Sequence, residues 1–421
     1  MVAQAEANKQ VVRRWVHEVF NEHRLDSVEK LKVPDYVDWN PYPGQDIALS
    51  GFKAVLRSYL ESFPDFRYDV DEELAEGDIV VCIGKWSGTH RATYMGIPPT
   101  GKQLSARRID IVRLAGDKMT ERWGTGNELK MLRLLGVAKD AAHSFEGSDL
   151  EVLVRRFVAE VLQEKNLAAV DELVHPDAHG RVVGSLVLLA LTAALDDVHF
   201  AVGEIAVDAT VARAELVVEG RHVRDLWGMT GQGADIRVTA DLTLEAQSGL
   251  IVDLDLRFDL DKLAEQLGVA RELLDAGAPR MRPTGTAGDG RFILRSLFND
   301  VLNGRQLHHM DRLIATGATD FLQESLTTMA LLHAFPDFQF NIERVIIDGS
   351  RVTVLAAFAG THTRELLGTA PTGKGVITRS ISLFTVVDGV ITDAIYNFDL
   401  HTLLSQLDIF PAEGRFTDSA V

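Results

Sequence analysis

The sequence predicts an α+β protein built from three consecutive units that share one plan. Three observations carry this. The phrase GTHRATYMGIPPTGK, beginning at Gly88, returns as GTHTRELLGTAPTGK at Gly360. Phe63-Pro64-Asp65-Phe66 returns at the same spacing of 272 as Phe335-Pro336-Asp337-Phe338. A fainter copy lies between, at a spacing of 132, where Gly88, His90, Gly96 and Gly101 map to Gly220, His222, Gly228 and Gly233. The period is far longer than that of a solenoid, and each unit is large enough to bury a core of its own.

Each unit opens on an amphipathic helix. Val12, Trp15, Val16 and Val19 lie on one face in the first unit, Val154, Phe157, Val158 and Val161 in the second, and Ile293, Leu297, Phe298 and Val301 in the third. Next come FNEHRLDSVEKL from Phe20, LQEKNLAAVDEL from Leu162 and LNGRQLHHMDRL from Leu302, aligned at spacings of 142 and 282. Both exceed the later spacings by ten, so the first unit carries ten extra residues between Leu31 and Ser50, in a stretch that contains DYVDWNPYPGQD. A short helix follows, then β-branched, partly alternating runs such as DIVVCIGKWSGTH and SRVTVLAAFAGTH that read as strands. A Gly-Asp pair at Gly116 and an Asp-Gly pair at Asp388 mark hairpins in the same place of two units. NELKMLRLLG, DLDKLAEQLG and DLHTLLSQLD close the units as helices. The units run over 1–138, 149–270 and 289–410, and the Gly- and Pro-rich stretch before the third reads as an exposed connector.

Composition narrows the function. A net charge of −18 opposes a nucleic-acid or anionic-membrane partner. One cysteine, Cys82, leaves no internal disulfide and no cysteine-rich zinc site. The N-terminal stretch lacks the apolar centre of an export signal, which predicts a cytoplasmic chain. The greasiest run, Val182 to Leu195, is too short to span a bilayer and is apolar almost all round. It predicts a helix buried against a neighbouring unit.

GIPPTGK and GTAPTGK fit a phosphate-loop skeleton, but Gln103 or Gly375 stands where a magnesium-binding hydroxyl belongs, and the segment leads into a strand. They read as tight loops. His90, His222 and His362 recur at one place, either bonded locally at a strand end or pointing into a cavity as donor or proton shuttle. Asn127, Asp259 and Asp399 each precede a last helix. N-capping accounts for all three, whereas a carboxylate base accounts only for the two aspartates.

NPYPG at Asn40, FPDF at Phe63, AEGDIVV at Ala75, GTH at Gly88, GIPPTGK at Gly96 and ERW at Glu121 resemble the SnoaL-like polyketide cyclases of the nuclear transport factor 2-like superfamily. The resemblance covers nearly all of unit one and unit three from Phe335 onward. It implies three tandem cone-shaped, cystatin-like domains, each a curved antiparallel sheet around helices with a pocket at the wide end. It also implies cofactor-free, metal-free aldol ring closure on a small hydrophobic polyketide-like substrate, as in antibiotic biosynthesis. The family's general acid/base precedes the last helix, which carries the role to Asp399 and Asp259, while unit one holds Asn127 there. His362 would stabilise the enolate oxygen. Trp39, Asn40 and Tyr42 from the extra segment, with His90, His222 and Asn127, would contact substrate. Domains of this kind often pair through their sheets, so an odd third unit leaves room for a homodimer. Rival readings are a non-catalytic binding or scaffold protein, and epoxide opening, dehydration or cycloaddition in the same pocket.

Overall fold

The computed structural model describes residues 2–41, 45–94, 97–126, 149–269 and 288–409. The class is α+β, with curved, unclosed sheets, as the sequence predicts. The first sheet holds β1 (Lys32–Asp38), β2 (Arg67–Glu76), β3 (Ile79–Thr89), β4 (Gln103–Ala115) and β5 (Lys118–Gly126), in the order β1-β5-β4-β3-β2. Only β1 and β5 pair in parallel there.

The second sheet has ten strands and repeats this order twice. One half is β6 (Val174–Arg181), β7 (Leu195–Asp208), β8 (Val211–His222), β9 (Ala234–Gln247) and β10 (Leu250–Phe258). The other is β11 (Ile314–Phe321), β12 (Gln339–Asp348), β13 (Arg351–Thr361), β14 (Gly375–Val387) and β15 (Val390–Phe398). Antiparallel β6 and β11 join the halves, with Asp320 opposite Gly180. At the Asp388-Gly389 turn both residues have positive φ, 49° and 80°, as a tight hairpin requires.

Register makes the repeats comparable residue by residue. Asp38 lies opposite Arg122 in unit one, and Asp320 opposite Ala394 in unit three. Asp38, Gly180 and Asp320 are therefore equivalent, and the ten extra residues of unit one are 40–49.

The helices used below are α1 (Val2–Trp15), α2 (Leu49–Ser62), α3 (Val182–Ala194), α4 (Leu260–Leu267), α5 (Leu322–His333) and α6 (Leu400–Gln406). The apolar helix α3 packs on α5 of the next unit within one continuous core, which bears out its predicted burial. Arg364 ties that junction, donating to the carbonyls of Thr192 at 2.7 Å and Leu195 at 2.8 Å and pairing with Asp196 at 2.8 Å. Among the described residues, no helix is long and apolar enough to cross a membrane.

Units one and three meet face to face through their sheets. Leu74, Ile83, Ile109, Ile111 and Trp123 of one face share a cluster with Ile346, Leu355, Ile381, Leu383 and Ile395 of the other. These are the same five positions at the spacing of 272, so the contact is isologous about a pseudo-two-fold axis. Unit two carries Ala206, Glu215, Asp241, Thr243 and Asp255 at those positions, and that face stays open.

Candidate functional site

Inside the unit-one sheet, under α2, lies a hollow of about 510 Å³, its open mouth included. Phe20, Phe52, Tyr59, Phe66 and Trp86 form aromatic walls, and Asp38, Arg108 and Arg122 form a charged end. Strand alternation puts them there: Arg108 and Asp110 on β4, Arg122 on β5 and Asp38 at the end of β1 all face inward. Arg122 donates to both Asp38 oxygens at 2.9 and 3.0 Å and pairs with Asp110 at 2.7 Å. Arg108 pairs with Asp110 at 2.9 Å. A Cβ at residue 124 would fall 2.1 Å from the Arg122 guanidinium and 2.4 Å from Asp110, so Gly124 is what lets this pair form.

Burial raises Asp38, with the charge of Lys32 pulling it back. Burial also raises Asp110, against the pull of Arg108. Lys32 itself is buried, with Nζ 3.5 Å from the Tyr36 ring centroid and 4.3 Å from that of Phe52. Loss of solvation brings it down to about 7, although Asp38 and Asp110 oppose the shift. An ammonium that titrates near neutrality thus sits behind a carboxylate whose basicity burial increases.

The residues expected from the sequence lie elsewhere. Asp399 is buried and N-caps α6: its carboxylate accepts from Thr402 N at 3.1 Å, Thr402 Oγ1 at 2.8 Å and Asn40 Nδ2 at 2.7 Å. Burial raises its pKa and these donors lower it. Three donors occupy the carboxylate, and it lines neither the hollow of unit one nor that of unit three described below. Asp259 is exposed and caps α4 through Lys262 N at 2.9 Å, again outside any apolar hollow described here.

His90 and His362 clamp their loops. Nδ1 of each accepts the backbone N–H of Thr100 or Thr372 at 3.2 Å, and each ring packs 5.5 Å from Phe63 or Phe335. His222 is buried at the same place, and burial lowers all three. None lines either hollow. This favours the local role over the cavity-facing one.

Trp39 is 40% exposed, stacks on Trp123 at 6.4 Å and donates to Glu121 at 2.9 Å. With Asn40 it faces unit three and not the unit-one pocket mouth, because the chain leaves β1 at the sheet-to-sheet junction. Among the described residues of the segment, Gln45 lines the hollow. Tyr42 and Asn127 lie outside the described residues.

The charged end escaped the sequence reading, yet the repeats mark it. Lys32 corresponds to Val174 and Ile314, Arg108 to Ala240 and Ser380, Asp110 to Leu242 and Ser382, and Arg122 to Leu254 and Ala394. Core positions that are apolar or small in two units are charged in the first, a contrast that a fold alone does not require. Among the described residues, no cluster of three or more His, Cys, Asp or Glu side chains is arranged to hold a metal ion.

The family model of the SnoaL-like polyketide cyclases matches residues 10–135 and 293–407, more than half of the chain. Among solved structures, a candidate polyketide cyclase from Acidithiobacillus ferrooxidans is 26% identical over 31% of this chain and 94% of its own, with a TM-score of 0.28. AclR from Streptomyces galilaeus, described as a candidate hydroxylase, is 25% identical over 31% and 97%, with a TM-score of 0.29. IdmH from Streptomyces antibioticus, a candidate polyketide cyclase, is 26% identical over 31% and 98%, with a TM-score of 0.28. No curated protein sequence matches the chain.

Proposed function

Because the chain belongs to the SnoaL-like polyketide cyclase family, we propose that its first unit catalyses cofactor-independent ring closure or isomerisation of a small, apolar, polyketide-like ketone. The observation that supports this most is the placing of Asp38, Arg108 and Arg122 at one end of an otherwise aromatic hollow. A carboxylate in low dielectric is a stronger base than in water, and guanidinium groups beside it favour an enolate oxygen. Asp38 takes a proton from the carbon next to a carbonyl. The carbanion attacks a second carbonyl folded against the aromatic walls, forming the carbon–carbon bond. The new alkoxide takes the proton back from Asp38, so no oxidant or co-reactant is consumed.

In this reading the three units, 1–138, 149–270 and 289–410, are tandem domains, the middle one degenerate. The buried free thiol of Cys82 fits a reducing compartment such as the cytoplasm, and ring closure of this kind fits secondary metabolism.

The test is hydrogen–deuterium exchange at the carbon next to the carbonyl of 2-tetralone, a bicyclic ketone, followed by NMR in D2O. The wild-type chain should accelerate exchange. Asp38→Asn should lose about a hundredfold or more of that acceleration while still binding the ketone. Exchange unchanged in Asp38→Asn would refute the assignment. Tight binding without exchange in the wild type would make the unit a binding protein.

A further inference from the structure

A second hollow, about 480 Å³ with its open mouth included, lies where units two and three meet. Leu186 and Leu189 of α3 form one wall, Phe298 and Phe340 of unit three the other, and Ser325 and Tyr396 line its polar side. Neither unit encloses this space alone.

Behind the polar side stands Asp320, the counterpart of Asp38. In unit one Arg122 neutralises that aspartate, but here Ala394 takes the arginine's place and the aspartate remains. Asp320 is fully buried; the Ser325 and Ser185 hydroxyls lie near enough to pull its pKa down, yet neither closes a hydrogen bond of normal length and angle on its oxygens. Its neighbours are Ser325 and Ser185, both lining the hollow. Ser325 Oγ and the Tyr396 hydroxyl are likewise buried without a partner. Across the β6–β11 junction, a Cβ at residue 180 would lie 2.6 Å from Asp320 Oδ1, so Gly180 makes the room this carboxyl occupies. Buried polar atoms are nearly always bonded, and a carboxyl buried without a well-formed hydrogen bond is costly. Four such atoms at one end of one apolar space describe the complement of a ligand. Burial raises Asp320, and Asp393 nearby acts in the same direction, while the Ser325 and Ser185 hydroxyls pull it back, so its protonated form is easier to reach than that of an exposed aspartate. Among the described residues, no Lys or Arg lines the hollow, which disfavours an anionic ligand.

We propose that the hollow between units two and three is a second binding site, taking a small neutral ring compound whose hydroxyl bonds to Asp320, Ser325 and Tyr396. The ring lies between α3 and the unit-three aromatics, so unit two, which lacks the charged end of unit one, serves as a wall of its neighbour's pocket. This site uses no residue of the unit-one hollow, and the two proposals stand or fall separately.

Met329 lines this hollow and not the first, which gives a site-specific probe. The full chain labelled with ¹³C at the methionine methyls is titrated with 2-naphthol and with naphthalene. The Met329 signal, assigned by its absence in Met329→Leu, should shift saturably with both. 2-Naphthol should bind about tenfold more tightly, as one or two hydrogen bonds imply. Asp320→Leu should level the two affinities, and Asp320→Asn, which keeps the shape and an acceptor, should preserve most of the preference. A Met329 signal that 2-naphthol does not move would overturn the site. Equal affinities in the wild type, or a preference that survives Asp320→Leu, would overturn the role of the carboxyl.

Discussion

Asn40 and Asp399 lie 359 positions apart, yet the Asn40 amide donates to the Asp399 carboxylate at 2.7 Å in a buried setting. Gly124 N–H in turn donates to Asn40 Oδ1 at 3.3 Å. The first of the ten residues peculiar to unit one therefore fastens the last helix of unit three, and Asp399 serves as cap and anchor together. Asn40→Ala should cost about 1–3 kcal/mol in urea unfolding, since it leaves a buried carboxylate short of a donor. Asp399→Asn should also reduce stability, with a coupling to Asn40→Ala in a double-mutant cycle, and 2-tetralone exchange should stay within a fewfold of wild type. Lost exchange with unchanged stability in Asp399→Asn would return the acid/base role to that residue.

Lys32 predicts a distinctive pH dependence of stability. Its folded pKa, about 7, lies below the ordinary 10.5, so the unfolded chain keeps the proton longer as pH rises. Stability should therefore climb between those two values and be flat, at its lowest contribution, below the first. Lys32→Met restores the apolar character that Val174 and Ile314 give the same position and leaves two arginines facing two aspartates. It should stabilise the chain at neutral pH by about 1–4 kcal/mol and abolish the slope. Urea midpoints from roughly pH 6 to pH 11 decide it, and a slope that persists in Lys32→Met would place its origin elsewhere.

These two residues show what was and was not legible in the sequence. Repeated phrases gave the units, because a loop such as Pro99-Thr100-Gly101-Lys102 is specified locally, and an Asp-Gly pair flanked by β-branched residues closes a hairpin wherever it occurs. The burial of α3 was legible because a helix without a polar face has nowhere else to go. The partner of Asn40 was not, since it depends on how two folded units dock. Lys32 sits in the unremarkable run KLKVPDY, and only strand register shows that it occupies a core position. The recurring histidines invited a chemical reading, although recurrence follows equally from a loop that needs the same clamp each time.

Asp38 should govern the acid side of any exchange profile. Exchange needs the ionised carboxylate, so the rate should fall as pH drops through its folded pKa, and burial places that midpoint above the ordinary 3.8. Lys32 is the first charge holding Asp38 down, so Lys32→Met should move the midpoint higher still. The stability term has the opposite sense to that of an ion-paired surface carboxylate. It is fully present below 3.8 and lost as pH rises through the raised value, and Asp38→Asn should remove it. Exchange rates across the acid range in the wild type and both variants test this. A midpoint that ignores Lys32→Met would mean another group carries the proton.

The sheet-to-sheet junction should respond to a charge that unit two already carries. Ile381 is fully buried between units one and three, and its unit-two equivalent is the exposed Asp241. Ile381→Asp puts an unpaired carboxylate into an apolar layer, a change worth about 3–5 kcal/mol against docking. Unit one, with its own closed core around Trp15, Tyr68 and Trp86, has what it needs to stay folded when undocked. Calorimetry should then show one unfolding event in the wild type and two in Ile381→Asp. Undocking also breaks the Asn40–Asp399 bond, so Asn40→Ala should cost little in the Ile381→Asp background and its full amount in the wild type. A single cooperative transition in Ile381→Asp, with the Asn40→Ala cost intact, would show that this apolar layer is not what holds the two units together.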